Sequence, residues 1–422
     1  MSLMPTGLNQ MAPAPGAPAG AFWGTPFHSA TAAHNKTTWW YAWDKYVIPD
    51  AYTDMPSELR AIRGAAALID MSPLPKMEIA GPEAHRLVNR LMTRDLSAIA
   101  VGQAMYAPWC NEHGLLIGDG LVFRSEEQRF IISGEASHAW FAANATGLDV
   151  QVRDVSDEFG VLSLQGPRAF DVLAAATGRD WSALKFSAMA RARIADVDLF
   201  VARQGFTGER GFELWVPRDG GAAVWNVVYE AGEKFGIRPA GEYAVDVARV
   251  EAGLILVSAD YTGAGPDQRC AHVQVAADLT VTPYQAGLGK FVDLGRDFVG
   301  RDALAREQGG PQNGRRLVGL RYDAAEILRL AAANSALGTA LSRVYWGSMT
   351  AWKDGAVVGR ASSLCFSPTL RRAISFGFLP GDLAEPGASV DVEMKDDSGT
   401  GIGLVCAEVT RLPFVELKRS SG

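Results

Sequence analysis

The segment Gly205-Phe-Thr-Gly-Glu-Arg-Gly-Phe-Glu213 constrains this chain more than any other. Its three glycines open backbone conformations closed to other residues, and after Gly211 apolar and polar residues alternate through Phe212, Glu213, Leu214, Trp215 and Val216. The pattern is a tight turn feeding a β-strand. It fixes Glu213 on a rigid element, with Trp215 two positions on and facing the same side. A carboxylate held this way can accept two parallel N–H bonds while an aromatic ring packs nearby. That suits a flat heterocycle with a donor edge, such as a reduced pterin. The second informative stretch is Thr282-Pro-Tyr-Gln-Ala-Gly-Leu-Gly-Lys-Phe291 with its tail Asp297-Phe-Val-Gly-Arg-Asp302.

At 422 residues the chain has room for two or three domains. Its 48% hydrophobic and 21% charged residues are those of a soluble globular protein, and a net charge of −7 gives no electrostatic support for a nucleic-acid partner. Cys110, Cys270, Cys365 and Cys406 lie far apart without a CxxC pair. This argues against zinc, iron–sulfur and disulfide frameworks and fits a reducing cytoplasm. The six histidines form no HxxxH or HExxH pattern, so no metal is expected. No apolar run reaches membrane-spanning length, so no membrane partner is expected either. Residues 1–20, rich in Ala, Pro and Gly, read as a disordered tail rather than a secretion signal.

Organisation follows from periodicity. Glu58 to Leu68 has helical apolar spacing with Ser57 as N-cap. Lys76 to Ile79, Gly120 to Arg124, Phe130 to Ser133 and Gly160 to Leu164 read as strands. Pro82 to Leu91, Ala136 to Thr146 and Pro167 to Ala175 read as helices. A hairpin over Ile194 to Gln204 and Gly211 to Pro217 precedes an amphipathic helix over Ala222 to Phe235. The twice-repeated alternation predicts two ferredoxin-like α+β units over residues 21–305. Glu307-Gln-Gly-Gly-Pro-Gln-Asn-Gly314 marks a linker at 306–315. Short alternating segments over 316–422 then predict a small β-barrel or sandwich, interrupted by a helix over Asp323 to Asn334.

Gly205–Glu213 resembles the Gly-Tyr-Thr-Gly-Glu-Asp-Gly-x-Glu signature of the glycine-cleavage T-protein family, which binds tetrahydrofolate. Other segments are similar to that family in the same order: Asn111-Glu112 with Gly118-Asp119-Gly-Leu-Val122, Leu164-Gln-Gly-Pro-Arg168, Asp246 with Arg249-Val-Glu-Ala-Gly253, Asp297-Phe-Val-Gly-Arg301 and Ser367-Pro-Thr-Leu-Arg-Arg372. The resemblance implies an α+β, three-lobed fold, two ferredoxin-like units plus a C-terminal β-barrel, with tetrahydrofolate as cofactor in a central channel. It implies Glu213 as the pterin-gripping residue, Arg249 and Tyr106 in the folate site, and Asp119 near N5 and N10. Trp215 and Tyr261 are similar to a tryptophan and a catalytic tyrosine of tetrahydrofolate-dependent aromatic O-demethylases. Trp39, Trp43 and Tyr46 belong to an aromatic cluster suited to a planar substrate. Read without the resemblance, Glu213 is a solvated surface residue, Asp119 a turn residue, Arg249 a structural ion pair and Trp215 core packing.

Departures narrow the activity. Asp70-Met-Ser-Pro-Leu-Pro75 lacks the histidine of the T-protein's Asp-x-Ser-His-Met. Phe206, Val245 and Gln285 replace residues common in that protein, which argues against lipoyl-linked aminomethyl transfer. The expected activity is methyl transfer from an O-methyl donor, a methoxylated aromatic acid, to N5 of tetrahydrofolate. Glu135 stands where one O-demethylase subgroup has an arginine for a substrate carboxylate, leaving Lys36, Lys45 or Lys76 to supply that cation. Alternatives are an S- or N-demethylase of a small onium compound, of which dimethylsulfoniopropionate demethylase is one, a glycine-cleavage aminomethyltransferase, or a non-catalytic folate-binding accessory protein. A monomer or homodimer is expected.

Overall fold

The computed structural model describes residues 22–135, 137–266, 279–310, 314–334, 341–396 and 398–420. The tail at 1–20 and Cys270 lie outside them. Two sheets, a closed barrel and a three-stranded ribbon make up the fold. The five-stranded sheet runs in the order Gln103–Cys110, Leu116–Glu126, Arg129–Gly134, Lys76–Ala80, Gln151–Asp154. The six-stranded sheet runs Met189–Ile194, Val197–Ala202, Gly211–Pro217, Phe159–Gln165, Ala66–Asp70, Ile237–Pro239. The chain weaves between them: Ala66–Asp70 pairs in the second sheet, and Lys76–Ala80, a short turn later, pairs in the first.

Each sheet buries one face under its own helices. Ala84–Leu91 and His138–Asn144 cover the first, through Leu87, Val88, Leu91 and Phe141 against Ile79, Val122 and Ile132. Ala169–Thr177 and Gly221–Gly232 cover the second. The opposite faces meet in a third core that brings together Leu116 and Phe123, Ile69, Val161 and Trp215, the helix Glu242–Glu251, and Phe376 and Phe378 of the barrel. This meeting of three lobes is what positions the site.

The barrel closes in the order Arg315–Tyr322, Arg372–Pro380, Ala356–Ser367, Met349–Lys353, Ser389–Lys395, Gly401–Thr410. Its helix Ala324–Ala333 starts where expected, with Asp323 accepting the Glu326 N–H as N-cap.

Several boundaries differ from the sequence reading. The helix expected over Glu58 to Leu68 is Met55–Gly64, capped by Asp54, whose side chain accepts from the Ser57 N–H. It ends early because Ala66–Asp70 has strand partners on both edges, and ladder pairing overrides helical spacing. The expected linker overlaps regular structure at both ends: the helix Arg301–Gly309 runs through its first four residues, and Arg315 already belongs to the barrel. After Thr410 the chain runs from the barrel, where the Phe414 ring lies over Gly319, back to the other lobes. Phe414 N–H donates to Glu251 O at 3.0 Å, and the Lys418 and Arg419 N–H groups donate to Gly208 O, closing the turn of the Gly205–Glu213 motif.

Candidate functional site

The glycines of the leading motif form one lock with Gln165. The Gln165 side chain donates to Gln204 O at 3.1 Å and accepts from Thr207 Oγ1 at 3.0 Å. A Cβ on Gly205 or Gly211 would overlap that amide, and Gly208 has φ of +80°. The lock delivers Glu213 to the middle of its sheet, between Ser163 and Ala202. Both neighbours are small, so space is left above the carboxylate. Glu213 lies deep in the protein yet is partly accessible, and its carboxylate forms no hydrogen bond of good geometry with any described residue. Burial pushes its pKa up to about 7, with the Trp215 N–H and the Lys76 charge pulling partly back.

The facing wall carries Asp119. Gly118 and Gly120 flank it because the strand approaches its neighbours too closely for side chains: a Cβ on Gly120 would overlap Ser133 O. Tyr106 Oη donates to Asp119 Oδ2 at 2.7 Å, and Tyr261 Oη donates to Asp119 Oδ1 at 3.0 Å. Burial raises the Asp119 pKa, opposed by the two hydroxyls and assisted by the charge of Asp260. Burial, then the charge of Asp119, holds both phenols well above their usual range, so they remain donors. Tyr106 and Asp119 are partly accessible; Tyr261 is 0% exposed. Phe123, on the same face of its strand as Asp119, meets Trp215, on the same face as Glu213, edge-on at 4.9 Å. The two carboxylates therefore belong to faces that look toward each other across the central core.

Asp260 closes a turn over residues 258–260, and it and Tyr261 point apart. Asp260 Oδ2 accepts Arg249 Nη1 at 2.5 Å, while its Oδ1 accepts Ser362 Oγ at 2.7 Å and Ser363 Oγ at 2.5 Å from the barrel. The barrel thus anchors the segment that brings Tyr261 to Asp119.

Some expected roles change. Arg249 is fully buried, with Nε on Asp246 at 2.7 Å, Nη1 on Asp260 and Nη2 on Ser363 at 2.7 Å. It braces the framework and presents no free fork to a ligand. Trp215 is core, packed on Phe123 and Phe159, and its indole N–H acts on Glu213 without a well-formed hydrogen bond. Tyr261 does not face open space, since its hydroxyl is committed to Asp119, so its placement is that of a positioning residue. In the aromatic cluster only Trp43 packs on the central core. Trp39 is 45% exposed, and Tyr46 is buried with its hydroxyl on Asp157. The three lysines proposed for a carboxylate are placed elsewhere: Lys45 pairs with Asp157 at 2.6 Å, Lys76 is buried on backbone carbonyls, and Lys36 is exposed at a surface hollow with His34 and Tyr229.

Sequence reasoning missed the Gln165 lock and the convergence of both tyrosines on Asp119. The glycines at 118, 120, 205 and 211 were the available signal for both. Also missed was Phe291, at the end of the second motif, edge-on to Tyr106 at 4.9 Å.

This architecture, two interwoven α+β lobes and a barrel around one shared core, is that of the aminomethyltransferase T of the glycine cleavage system from Bartonella henselae. That structure superimposes with a TM-score of 0.74 at 24% identity over 94% of this chain and 99% of that one. The GCVT N-terminal domain matches residues 27–296 and the glycine cleavage T-protein C-terminal barrel domain matches 337–416, so the chain belongs to the glycine cleavage T-protein family. Proteins named aminomethyltransferase are similar along most of their length. The one from Saccharopolyspora erythraea is 32% identical over 92% of this chain and 97% of its own. The one from Symbiobacterium thermophilum is 34% identical over 82% and 87%, and that from Bacillus subtilis 30% over 87% and 92%. Among the described residues, no helix is long and apolar enough to cross a membrane.

Proposed function

We propose that the protein is a tetrahydrofolate-dependent demethylase that moves a methyl group from an O-methyl donor, a methoxylated aromatic acid, to N5 of tetrahydrofolate. The observation that carries the folate reading is Glu213: a deep, partly accessible carboxylate flanked across its sheet by the small Ser163 and Ala202, fitted to accept the two N–H groups of a pterin edge. Tetrahydrofolate would supply the nucleophilic N5 that receives the methyl group. The chain's own residues orient and shield. Glu213 holds the ring edge, and Tyr106 and Asp119 line the facing wall. Tyr261, fixed by Asp260 and the barrel serines, keeps the Asp119 carboxylate in one orientation.

The choice of an O-methyl donor rests on proton chemistry. A phenoxide leaves with negative charge and needs a proton. The Tyr106–Asp119–Tyr261 cluster, with Asp119 raised by burial, retains a proton more readily than an exposed carboxylate. A sulfonium or ammonium donor needs none. One observation favours that second reading: the charges acting on the Tyr261 phenol are the acids Asp119 and Glu135, a setting that would attract a cation.

A panel of methoxybenzoates and methylated onium compounds, incubated with the protein and tetrahydrofolate, separates these readings. The product assayed is 5-methyltetrahydrofolate, by mass spectrometry. Methyl transfer from a methoxybenzoate is expected. Transfer only from an onium donor would replace the O-methyl reading. Folate binding without transfer from either would point to a protein-borne aminomethyl group or to a binding role.

A further inference from the structure

We infer that Arg94 and Lys290, set over the ring of Phe291, form a carboxylate-recognition site at the rim of the folate cleft, and that the carboxylate they take belongs to the glutamyl tail. The inference rests on the folate reading above and concerns the end of the ligand that Glu213 does not hold.

A line of contacts runs from Asp119 to the surface. Asp119 accepts the Tyr106 hydroxyl at 2.7 Å, and the Tyr106 ring meets Phe291 edge-on at 4.9 Å. Arg94 Cζ lies 5.4 Å and Lys290 Nζ 5.0 Å from the centre of the Phe291 ring. Asp119, Tyr106, Phe291 and Arg94 are partly accessible, and Lys290 is exposed. Arg94 Nη1 also donates to Tyr106 O at 2.9 Å. The guanidinium therefore stands at the main-chain end of the tyrosine whose hydroxyl end holds Asp119. The length of the Tyr106 side chain separates the wall assigned to N5 from the two positive charges.

The frame under this pair is fixed. Thr93 Oγ1 donates to Phe291 O at 3.0 Å, and Asp293 N–H donates to Thr93 O at 2.9 Å. Arg296 commits its guanidinium to the carbonyls of Asn89, Met92 and Arg94. This stitching sets the backbone of Arg94 and Phe291 before a ligand arrives. The neighbouring acids are engaged locally: Asp95 accepts the Ser97 N–H and hydroxyl, Asp293 accepts the Gly295 N–H, and the charge of Asp297 acts on Arg296. Among the described residues neither Arg94 nor Lys290 forms an ion pair. Arg94 has one backbone carbonyl as acceptor, so further N–H donors of its fork remain for a ligand. Burial lowers its pKa, and no carboxylate opposes that. On a chain of net charge −7, two adjacent cations without acid partners make a local site for an anion.

Two molecules of the proposed reaction carry a carboxylate, the methoxylated acid and folate. The methyl group of the donor has to reach N5, deep beside Asp119. The glutamyl tail lies at the far end of folate from the pterin edge, and an exposed Lys290 suits that outer end.

Binding of tetrahydrofolate and of its diamide, with both tail carboxyls uncharged, to wild type, Arg94→Gln and Lys290→Gln tests this. Wild type should bind tetrahydrofolate roughly tenfold or more tighter than the diamide, and the difference should shrink with added salt. Arg94→Gln should weaken tetrahydrofolate by roughly tenfold and leave the diamide unchanged. Lys290→Gln, at an exposed position that does not threaten folding, should weaken tetrahydrofolate by roughly two- to fivefold. Equal losses for both ligands would make the cations structural, and no loss for either would leave them idle; each overturns the inference. The KM of a methoxybenzoate in the same variants is the second arm. A rise there with unchanged folate affinity would give the site to the donor's carboxylate and overturn the tail assignment. Absence of tetrahydrofolate binding by wild type would remove the folate reading itself, a result distinct from tetrahydrofolate that binds regardless of Arg94.

Discussion

Tyr261→Phe deletes one oxygen from the wall of the site and keeps the ring in the core. Of its two phenol donors, Asp119 then retains only the Tyr106 hydroxyl. A hydrogen bond to a charged group contributes about 1.5–3 kcal/mol, equivalent to about one to two pKa units. Burial already raises Asp119, so the change raises it further. An acid whose folded pKa lies above its unfolded value favours the folded state below the unfolded pKa, and that contribution is lost as pH rises through the folded pKa. The variant therefore loses most stability at neutral pH, and its gap from wild type narrows as acid neutralises Asp119. Urea unfolding of both proteins between roughly pH 4 and 8 measures the gap, expected at about 1.5–3 kcal/mol at the upper end. Turnover should fall with little change in folate affinity, because the tyrosine orients Asp119 and does not hold the pterin. A gap independent of pH would refute the clamped carboxylate, and unchanged turnover would remove Tyr261 from the chemistry.

Three further outcomes follow from the same geometry. Gly205→Ala should destabilise by about 1–3 kcal/mol in denaturant unfolding, since the new methyl overlaps the Gln165 amide that locks the turn. Ser362→Ala with Ser363→Ala leaves Asp260 Oδ1 without either hydroxyl donor, at a cost of about 1–3 kcal/mol per unsatisfied buried group. The anchor of Tyr261 loosens with it, so turnover should fall in step with stability. Arg343→Ala removes the cation paired with Asp50 at 2.8 Å and Glu242 at 2.9 Å. Burial raises the pKa of both acids, so the loss in thermal stability should grow as pH rises and they ionise; a loss that shrinks with rising pH would contradict the assignment.

The elements were legible where pattern is local. The alternation from Gly211 to Val216 placed Glu213 on its strand, and the short alternating segments after residue 315 marked the barrel. Within the barrel, Met349–Lys353 is the hardest strand to read, because its five residues with a bulge at Ala351 and Trp352 leave little alternation. Side-chain destinations were less legible, because they depend on distant chain. Tyr261 meets Asp119 across 142 positions and Arg249 meets Ser363 across 114. The motif identified Arg249, but the three partners that saturate it come from its own helix, the following loop and the barrel. Lys76 reads as an available cation in the sequence and is buried because the proline turn folds over it. Trp39 and Trp43 look alike in composition, yet only Trp43 packs on the central core, which depends on how the ribbon Trp40–Trp43 and Tyr46–Pro49 docks.

Equilibrium binding of tetrahydrofolate to wild type and to Glu213→Gln tests the central claim most directly. The amide keeps the shape but replaces one acceptor oxygen with a donor facing the pterin edge. The account predicts measurable binding by wild type and a loss of roughly 10- to 100-fold in the variant, the worth of a charge-assisted pair. Equal affinity in the two proteins would contradict it.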